Sequence, residues 1–317
     1  MAAEALVLTG PTAAGKSSWA VRLAEELPLE IVSMDSAQVY RGMDIGTAKP
    51  SAALRARIPH HLIDILEPTE SYSAGQFVTD CARLIREIRG RGRLPLVVGG
   101  TMLYLRALIL GIADLPRGSA QLRREIDARA QEQGWPHLHA ELARLDPEAA
   151  ARIHPNDPQR IQRALEVCYA TGRPLSYLQR TRRPVLAHLP RWALAPVDRA
   201  GLHLRIAQRL SHMMEQGFLD EVARLRERGE LTARHPAARA VGYRQLWAHL
   251  EGRCGLAEAR DRALAATRQL AKRQLTWLRT DGGIRWIDPD APDAYAQWKC
   301  ELRRELVGLW PADTPSC

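Results

Sequence analysis

Gly10-Pro11-Thr12-Ala13-Ala14-Gly15-Lys16-Ser17 is the stretch on which the reading of the fold turns. It has the spacing G-x-x-x-x-G-K-[ST] of a phosphate-binding P-loop. Its glycines let the backbone curl so that successive N–H groups face phosphate oxygens. A helix starting there adds its positive N-terminal end. Lys16 contributes a mobile positive charge, and the Ser17 hydroxyl is a candidate ligand for Mg²⁺. The flanks agree: residues 5–9 (ALVLT) read as a short buried strand, and residues 17–27 (SSWAVRLAEEL) have helical periodicity that Pro28 ends.

Further out, residues 30–34 (EIVSM) read as a second strand, ending at Asp35. Residues 73–89 form an amphipathic helix with Phe77, Leu84 and Ile88 on one side. Residues 94–98 (LPLVV) are another buried strand, followed by Gly99-Gly100-Thr101. Continuous apolar strands alternating with helices imply a parallel sheet covered on both faces. From residue 116 to residue 190 the chain is rich in Arg, Glu, Leu and Ala, punctuated by prolines, and reads as helices. Residues 191–197 (RWALAPV) return as a strand, and helices resume over 202–229 and 257–280. The expected fold is α/β: a P-loop NTPase-like parallel sheet core (1–115 and 191–288) with an inserted all-helical lobe (116–190). The tail, 289–317, receives no role.

The 317 residues are 46% hydrophobic and 26% charged, ordinary values for a folded globular chain. The net charge of +9 favours a polyanionic partner without establishing one. Cys81, Cys168, Cys254, Cys300 and Cys317 are scattered, with no C-x-x-C spacing. That argues against a zinc site or a disulfide framework and for a reducing, cytoplasmic setting. The start, MAAE, lacks a basic n-region, and no apolar run is long enough to span a membrane. His60-His61 has no carboxylate or cysteine at ligand spacing and reads as structural.

Asp35-Ser36-Ala37-Gln38-Val39-Tyr40-Arg41, followed by Asp44-Ile45-Gly46-Thr47-Ala48-Lys49-Pro50, closely resembles the tRNA dimethylallyltransferases, or isopentenyl-tRNA transferases. Further blocks are similar to that family in the same order. They are Gly99-Gly100-Thr101-Met102-Leu103-Tyr104-Leu105, residues 157–166 (DPQRIQRALE), Ala240-Val241-Gly242-Tyr243-Arg244-Gln245 and residues 267–274 (TRQLAKRQ). Two departures stand out. Ser17 replaces a common Thr, keeping the hydroxyl, and Met102 replaces a glycine.

The resemblance implies transfer of a dimethylallyl group from dimethylallyl diphosphate to the N6 amine of the adenosine 3′-adjacent to the anticodon (position 37) of a tRNA. Pyrophosphate is the leaving group, and its growing charge must be met by fixed donors. Residues Gly10 to Ser17, Mg²⁺, and Arg205 and Arg209, four apart on one helix face, are the candidates. Asp35 is the candidate general base, with a turn-capping role and magnesium ligation also open. Thr101 can hold the amine, and Gln38 has a donor and an acceptor for a base edge. Strand C-terminal ends should bring these together. The adenine must be flipped out to reach them. The anticodon stem-loop is expected to meet Asp35, Ser36, Ala37, Gln38 and Thr101. Arg123, Gln159, Arg160, Ile161, Gln162 and Arg163 in the helical lobe, residues 240–245, and Lys272 and Arg273 are expected to join them. Arg124, Arg268 and Arg279 add positive charge, and Tyr243 either stacks on a base or packs internally. A monomer is expected. A P-loop kinase of a small metabolite, and an RNA-binding nucleotide switch, are the competing readings. A kinase normally ends a second strand in a magnesium-binding Asp; residues 94–98 end in Gly99-Gly100-Thr101 instead, which weakens that reading, while Asp35, which does end a strand, keeps it open.

Overall fold

The computed structural model describes residues 3–306, except 114, 117, 182, 183, 185, 187 and 234. Six parallel strands form one sheet in the order β3-β2-β4-β1-β5-β6. They are β1 (Leu6–Thr9), β2 (Leu29–Ser33), β3 (His60–His61), β4 (Leu94–Val98), β5 (Arg191–Leu194) and β6 (Ile284–Ile287). β1 and β2 are buried throughout, as strands covered on both faces must be. Register pairs Leu6 with Leu96 and Ile31 also with Leu96, so β4 lies between β1 and β2. The C-terminal ends of those three strands therefore sit side by side, and they carry Gly10, Gly99 and Asp35.

Helix α1 (Lys16–Glu26) follows the P-loop, and α2 (Ala52–Arg57) precedes β3. Helix α3 (Ala74–Gly90) is started by a reciprocal capping box between Ser73 and Gln76, and α4 (Met102–Leu110) follows β4. The stretch 202–229 is two helices, α10 (Arg199–Glu215) and α11 (Phe218–Glu227). They are divided at Gly217, whose φ of 93° suits glycine and ends the first helix. Helices α12 (Tyr243–Leu250) and α13 (Leu256–Leu278) follow.

The tail is partly a helix, α14 (Ala294–Glu305). Its Tyr295, Trp298 and Leu302 are buried in the main core with Trp192, Leu6 and Leu96. Two strands had no forecast. β3 is only two residues of histidine, and β6 is a four-residue edge strand with Arg285 and Trp286 exposed, so neither carries a continuous apolar or an alternating pattern. Cys81, Cys168 and Cys254 are free thiols, but Cys300 is disulfide-bonded, against the expectation of reduced cysteines. Spacing along a chain does not measure distance in the fold. Among the described residues no helix is long and apolar enough to cross a membrane.

The chain divides into two compact units, Leu110–Val185 and the remainder. Both boundaries fall a few residues before 116 and 190. Within the smaller unit, α5 (Ala120–Gln133), α6 (Trp135–Leu145), α7 (Pro147–Arg152), α8 (Pro158–Thr171) and α9 (Leu175–Gln179) enclose a core. Ile126, Leu138, Leu142, Ile161 and Leu165 form its centre.

Candidate active site

Backbone geometry shapes the P-loop. Gly10 has φ 140°, and a Cβ there would lie 2.2 Å from the Leu194 carbonyl oxygen, so only glycine fits. Gly15, at φ 88°, opens α1. The Lys16 ammonium folds back and donates to the Pro11 carbonyl at 2.7 Å. Burial, assisted by the positive charge of Arg209, pulls its pKa down to about 7, with Asp35 acting in the opposite direction. Ser17 is exposed to a cavity of about 400 Å³. Lys16, Val21, Ile31, Leu54 and Val98 also line that cavity.

At the end of β2, Asp35 Oδ1 accepts the N–H groups of Ala37 (2.8 Å) and Gln38 (3.4 Å), closing an Asx turn. Among the described residues, Oδ2 has no hydrogen-bond partner. Thr101 Oγ1 accepts the Ser36 N–H at 3.1 Å, which ties the turn after β4 to this one. Both donors of Gln38 are engaged inside the protein. Its Nε2 donates to the carbonyls of Thr47 and Ala48, and its Oε1 accepts from Ser33 Oγ. One lone pair of Oε1 is left for a base edge, as an acceptor only.

Residues 44–48 form a further wall, and its support is a buried carboxylate. Glu221, 3% exposed, accepts the N–H groups of Asp44, Ile45 and Gly46 and the Tyr243 hydroxyl at 2.6 Å. Tyr243 is 1% exposed and packs edge-on against Phe218, so the internal-packing alternative describes it. Burial and the Glu221 carboxylate push its pKa far up. Tyr243→Phe should keep the ring packing, strip one partner from a buried carboxylate and cost about 1.5–3 kcal/mol. Chemical denaturation would measure this, and an unchanged stability would contradict the role given to the hydroxyl.

A second cavity, of about 500 Å³, opens on the other side of Asp35. Ala13, Leu103, Ile206, Met213, Phe218 and Trp277 give it an apolar lining, with Arg239 and Arg273 among its polar groups. Thr12, Asp35, Thr47, Gly100, Arg209, Leu270 and Gln274 line both cavities. Arg209 forms no hydrogen bond or ion pair with the described residues. Its burial lowers its pKa, against a raising influence from Asp35. Gln274 bridges Thr12 N–H and the Gly100 carbonyl. The strand end beside them has no room for an acid: a Cβ at Gly99 would lie 2.1 Å from the Met34 carbonyl oxygen, and one at Gly100 2.4 Å from Gln274 Nε2. The magnesium-binding Asp of a phosphoryl-transferring P-loop protein is excluded from both positions.

The family model described as IPP transferase matches residues 38–281, and that described as isopentenyl transferase matches residues 3–57. The chain belongs to the IPP transferase family. It is 58% identical over 282 residues to a tRNA dimethylallyltransferase of Bordetella petrii, covering 88% of this chain and 90% of that protein. It is 57% identical to one of Methylibium petroleiphilum, covering 96% and 94%. Among solved structures, the tRNA isopentenylpyrophosphate transferase of Bacillus halodurans aligns with TM-score 0.69 at 39% identity, covering 96% of this chain and 98% of that one. A eukaryotic dimethylallyltransferase acting on tRNA aligns with TM-score 0.82 at 27% identity, covering 98% and 81%.

In this IPP transferase the residues singled out from sequence fall into two groups. The P-loop, Asp35, Ser36, Ala37, Gln38, Thr101, Arg209, Ala240, Val241, Gly242, Tyr243 and Arg273 border the two cavities, apart from the buried Gly10, Pro11 and Ala14 and the helix cap Gly15 within the loop itself. Lys272 and Arg244 are exposed. The rest have other duties. Arg205 lines neither cavity; both its terminal nitrogens bond Asp290, at 2.7 and 3.1 Å. Sharing a helix face with Arg209 was therefore not enough to bring it to the site, because a partner from the tail captures it. Gln245 caps α12 through the Gly242 N–H.

In the helical unit Ile161 is 0% exposed and belongs to the core, so its side chain offers no surface to RNA. Arg123 and Arg163 clamp the buried Glu166 at 3.0 and 2.7 Å, and Gln162 bonds Asp127. Gln159 and Arg160 remain exposed. Sequence reasoning missed Gln274, Arg239 and Trp277. Leu270, Gln274 and Trp277 recur at helical spacing of four and three, a signal that one face of α13 is covered.

Proposed function

We propose that this protein transfers a dimethylallyl group from dimethylallyl diphosphate to the N6 amine of the tRNA adenosine 3′-adjacent to the anticodon, releasing pyrophosphate. The carrying observation is that two cavities, one on the P-loop and one with a basic, aromatic rim, meet at Asp35 and Arg209. The diphosphate takes the P-loop side. The amides after Gly10, Lys16 and Arg209 face its charge, and Val21, Ile31, Leu54 and Val98 give the five-carbon tail an apolar seat. The flipped adenine enters from the other side, past Trp277 and Arg273.

As the carbon–oxygen bond to diphosphate breaks, the amine nitrogen bonds that carbon and gives its proton to Asp35 Oδ2. Thr101, joined to the Asp35 turn through Ser36, lies where it can orient the amine. Exposed Arg239, Arg244, Lys272 and Arg273 supply contacts for a single-stranded loop. Gln159 and Arg160, exposed on the helical unit, are separate candidates for tRNA contact. Among the described residues no three His, Cys, Asp or Glu side chains gather into a metal site. Mg²⁺ commonly takes only one or two protein ligands and otherwise water and substrate phosphate oxygens. The exposed Ser17 hydroxyl is a hard oxygen donor of the right kind. Mg²⁺ bound there would neutralise charge on the diphosphate. We read the protein as a monomer, since one chain supplies every group named here, and as cytoplasmic, since its relatives are named as enzymes of tRNA.

The test is incubation with unmodified tRNA, labelled dimethylallyl diphosphate and Mg²⁺, followed by isolation of labelled adenosine. ATP hydrolysis without transfer would favour the kinase reading instead.

The lowered Lys16 pKa gives a second expectation. With no anion bound, Lys16 is largely neutral above about pH 7. A bound diphosphate favours the charged form and raises that value. Binding of pyrophosphate at pH 8 should therefore take up a proton fraction approaching about one per site. Calorimetry in buffers of differing ionisation enthalpy reads the uptake, and none should remain in Lys16→Met.

A further inference from the structure

Gln274 is a polar side chain, 6% exposed, on a helix otherwise anchored by apolar contacts. Both ends of its amide are engaged. Oε1 accepts the Thr12 N–H at 2.9 Å, and Nε2 donates to the Gly100 carbonyl at 2.8 Å. Thr12 belongs to the P-loop and Gly100 to the turn after β4, so a single side chain spans two loops far apart in sequence. The next residue, Thr101, holds the Ser36 N–H, and Ser36 follows Asp35. A second bond reinforces the same junction: Thr9 Oγ1 donates to the Gly99 carbonyl at 2.9 Å. The absence of a Cβ at Gly100 leaves the space that the amide fills. Such a bridge is stiff, because a buried amide that loses either partner pays for its desolvation.

We propose that Gln274 is a positioning residue that sets the separation between the diphosphate seat and the Asp35–Thr101 side of the site. It touches no reacting atom. It acts through the backbone of Thr12 and Gly100, and displacing reacting groups by about 1 Å can cost on the order of 100-fold in rate. The role in catalysis rests on the reading under "Proposed function"; the bridge itself does not.

Two variants of the full chain test it. Gln274→Met keeps the length and removes both hydrogen bonds. Gln274→Glu keeps an acceptor for Thr12 N–H but turns a carboxylate toward the Gly100 carbonyl. The measurements are steady-state transfer, affinity for pyrophosphate and for tRNA, and amide exchange in residues 10–17 and 99–103.

For Gln274→Met, kcat should fall about 10- to 100-fold and pyrophosphate affinity should weaken. Exchange should rise in both segments, with tRNA affinity held within about twofold. Gln274→Glu should protect Thr12 but not residues 99–103, and should not restore kcat. Wild-type kcat, pyrophosphate affinity and exchange in Gln274→Met would overturn the proposal and make the residue a space filler. If Gln274→Met does not fold, Gln274→Glu with wild-type kcat and exchange does the same. A wild-type protein that transfers nothing, while Gln274→Met still loosens both segments and pyrophosphate, would overturn the prenyl-transfer reading and leave the positioning role intact.

Discussion

Asp35→Asn is expected to lower kcat about 10²- to 10⁴-fold, the range in which positioned general bases contribute. Affinity for tRNA and for dimethylallyl diphosphate should stay within a few-fold. Asn keeps an Oδ1 to accept the Ala37 and Gln38 N–H groups, so the Asx turn survives. It replaces Oδ2, which has no hydrogen-bond partner among the described residues, by an amide nitrogen that cannot take a proton. The substitution therefore separates proton transfer from turn closure, which Asp35→Ala would abolish together. One side effect has a known sign. Asp35 raises the Lys16 pKa, so removing its charge lowers that value further from about 7. Rates should be compared on both sides of that pH, so that lost Lys16 charge is not mistaken for a lost base. Wild-type turnover of Asp35→Asn at both would assign Asp35 to the turn alone.

Arg209→Met should reduce kcat/KM about 10²- to 10³-fold, as loss of one preorganised donor to a developing anion does. Arg205→Met should leave turnover close to wild type. The two arginines share a helix and a spacing, yet Arg209 borders both cavities without a hydrogen-bond or ion-pair partner among the described residues, and Arg205 is held by Asp290. Arg209 also depresses the Lys16 pKa. Removing its charge should raise that pKa, so proton uptake on pyrophosphate binding at pH 8 should shrink. Calorimetry on the two variants and the parent reads both effects. Equal loss of turnover in Arg205→Met and Arg209→Met would show that helix geometry, not the ion pair, decides which arginine serves the reaction.

Much of the site was legible because its signals are local. A P-loop needs glycine at fixed spacing, and a strand end followed by Asp35 or Gly99-Gly100 can be read from a few neighbouring residues. The arginines were harder. Arg123 and Arg163 looked like RNA contacts, but they hold Glu166, which is 1% exposed. Nothing in the local pattern tells a surface arginine from one whose carboxylate lies 43 residues away. Ile161 lies between Arg160 and Gln162 yet is core, since successive residues of a helix point about 100° apart and a run of four or five cannot all face one partner. Gln38 offered free polar groups on paper. In the fold Thr47 and Ala48 take both its donors, and Ser33 takes one of the two lone pairs of its oxygen.

By itself, the sequence determined the parallel sheet, the phosphate loop, the helical insertion and the family, because each rests on periodicity or on short spaced motifs. Tertiary structure alone decided which charges serve the site. It paired Arg205 with Asp290 and turned Arg209 to both cavities. It put Glu221 under residues 44–46 and laid the Gln274 amide across Thr12 and Gly100. It also turned part of a tail without an assigned role into a helix that seals the core through Trp298. The physical reason is common to all of these. A side chain's role depends on what is buried beside it, and those neighbours come from distant parts of the chain.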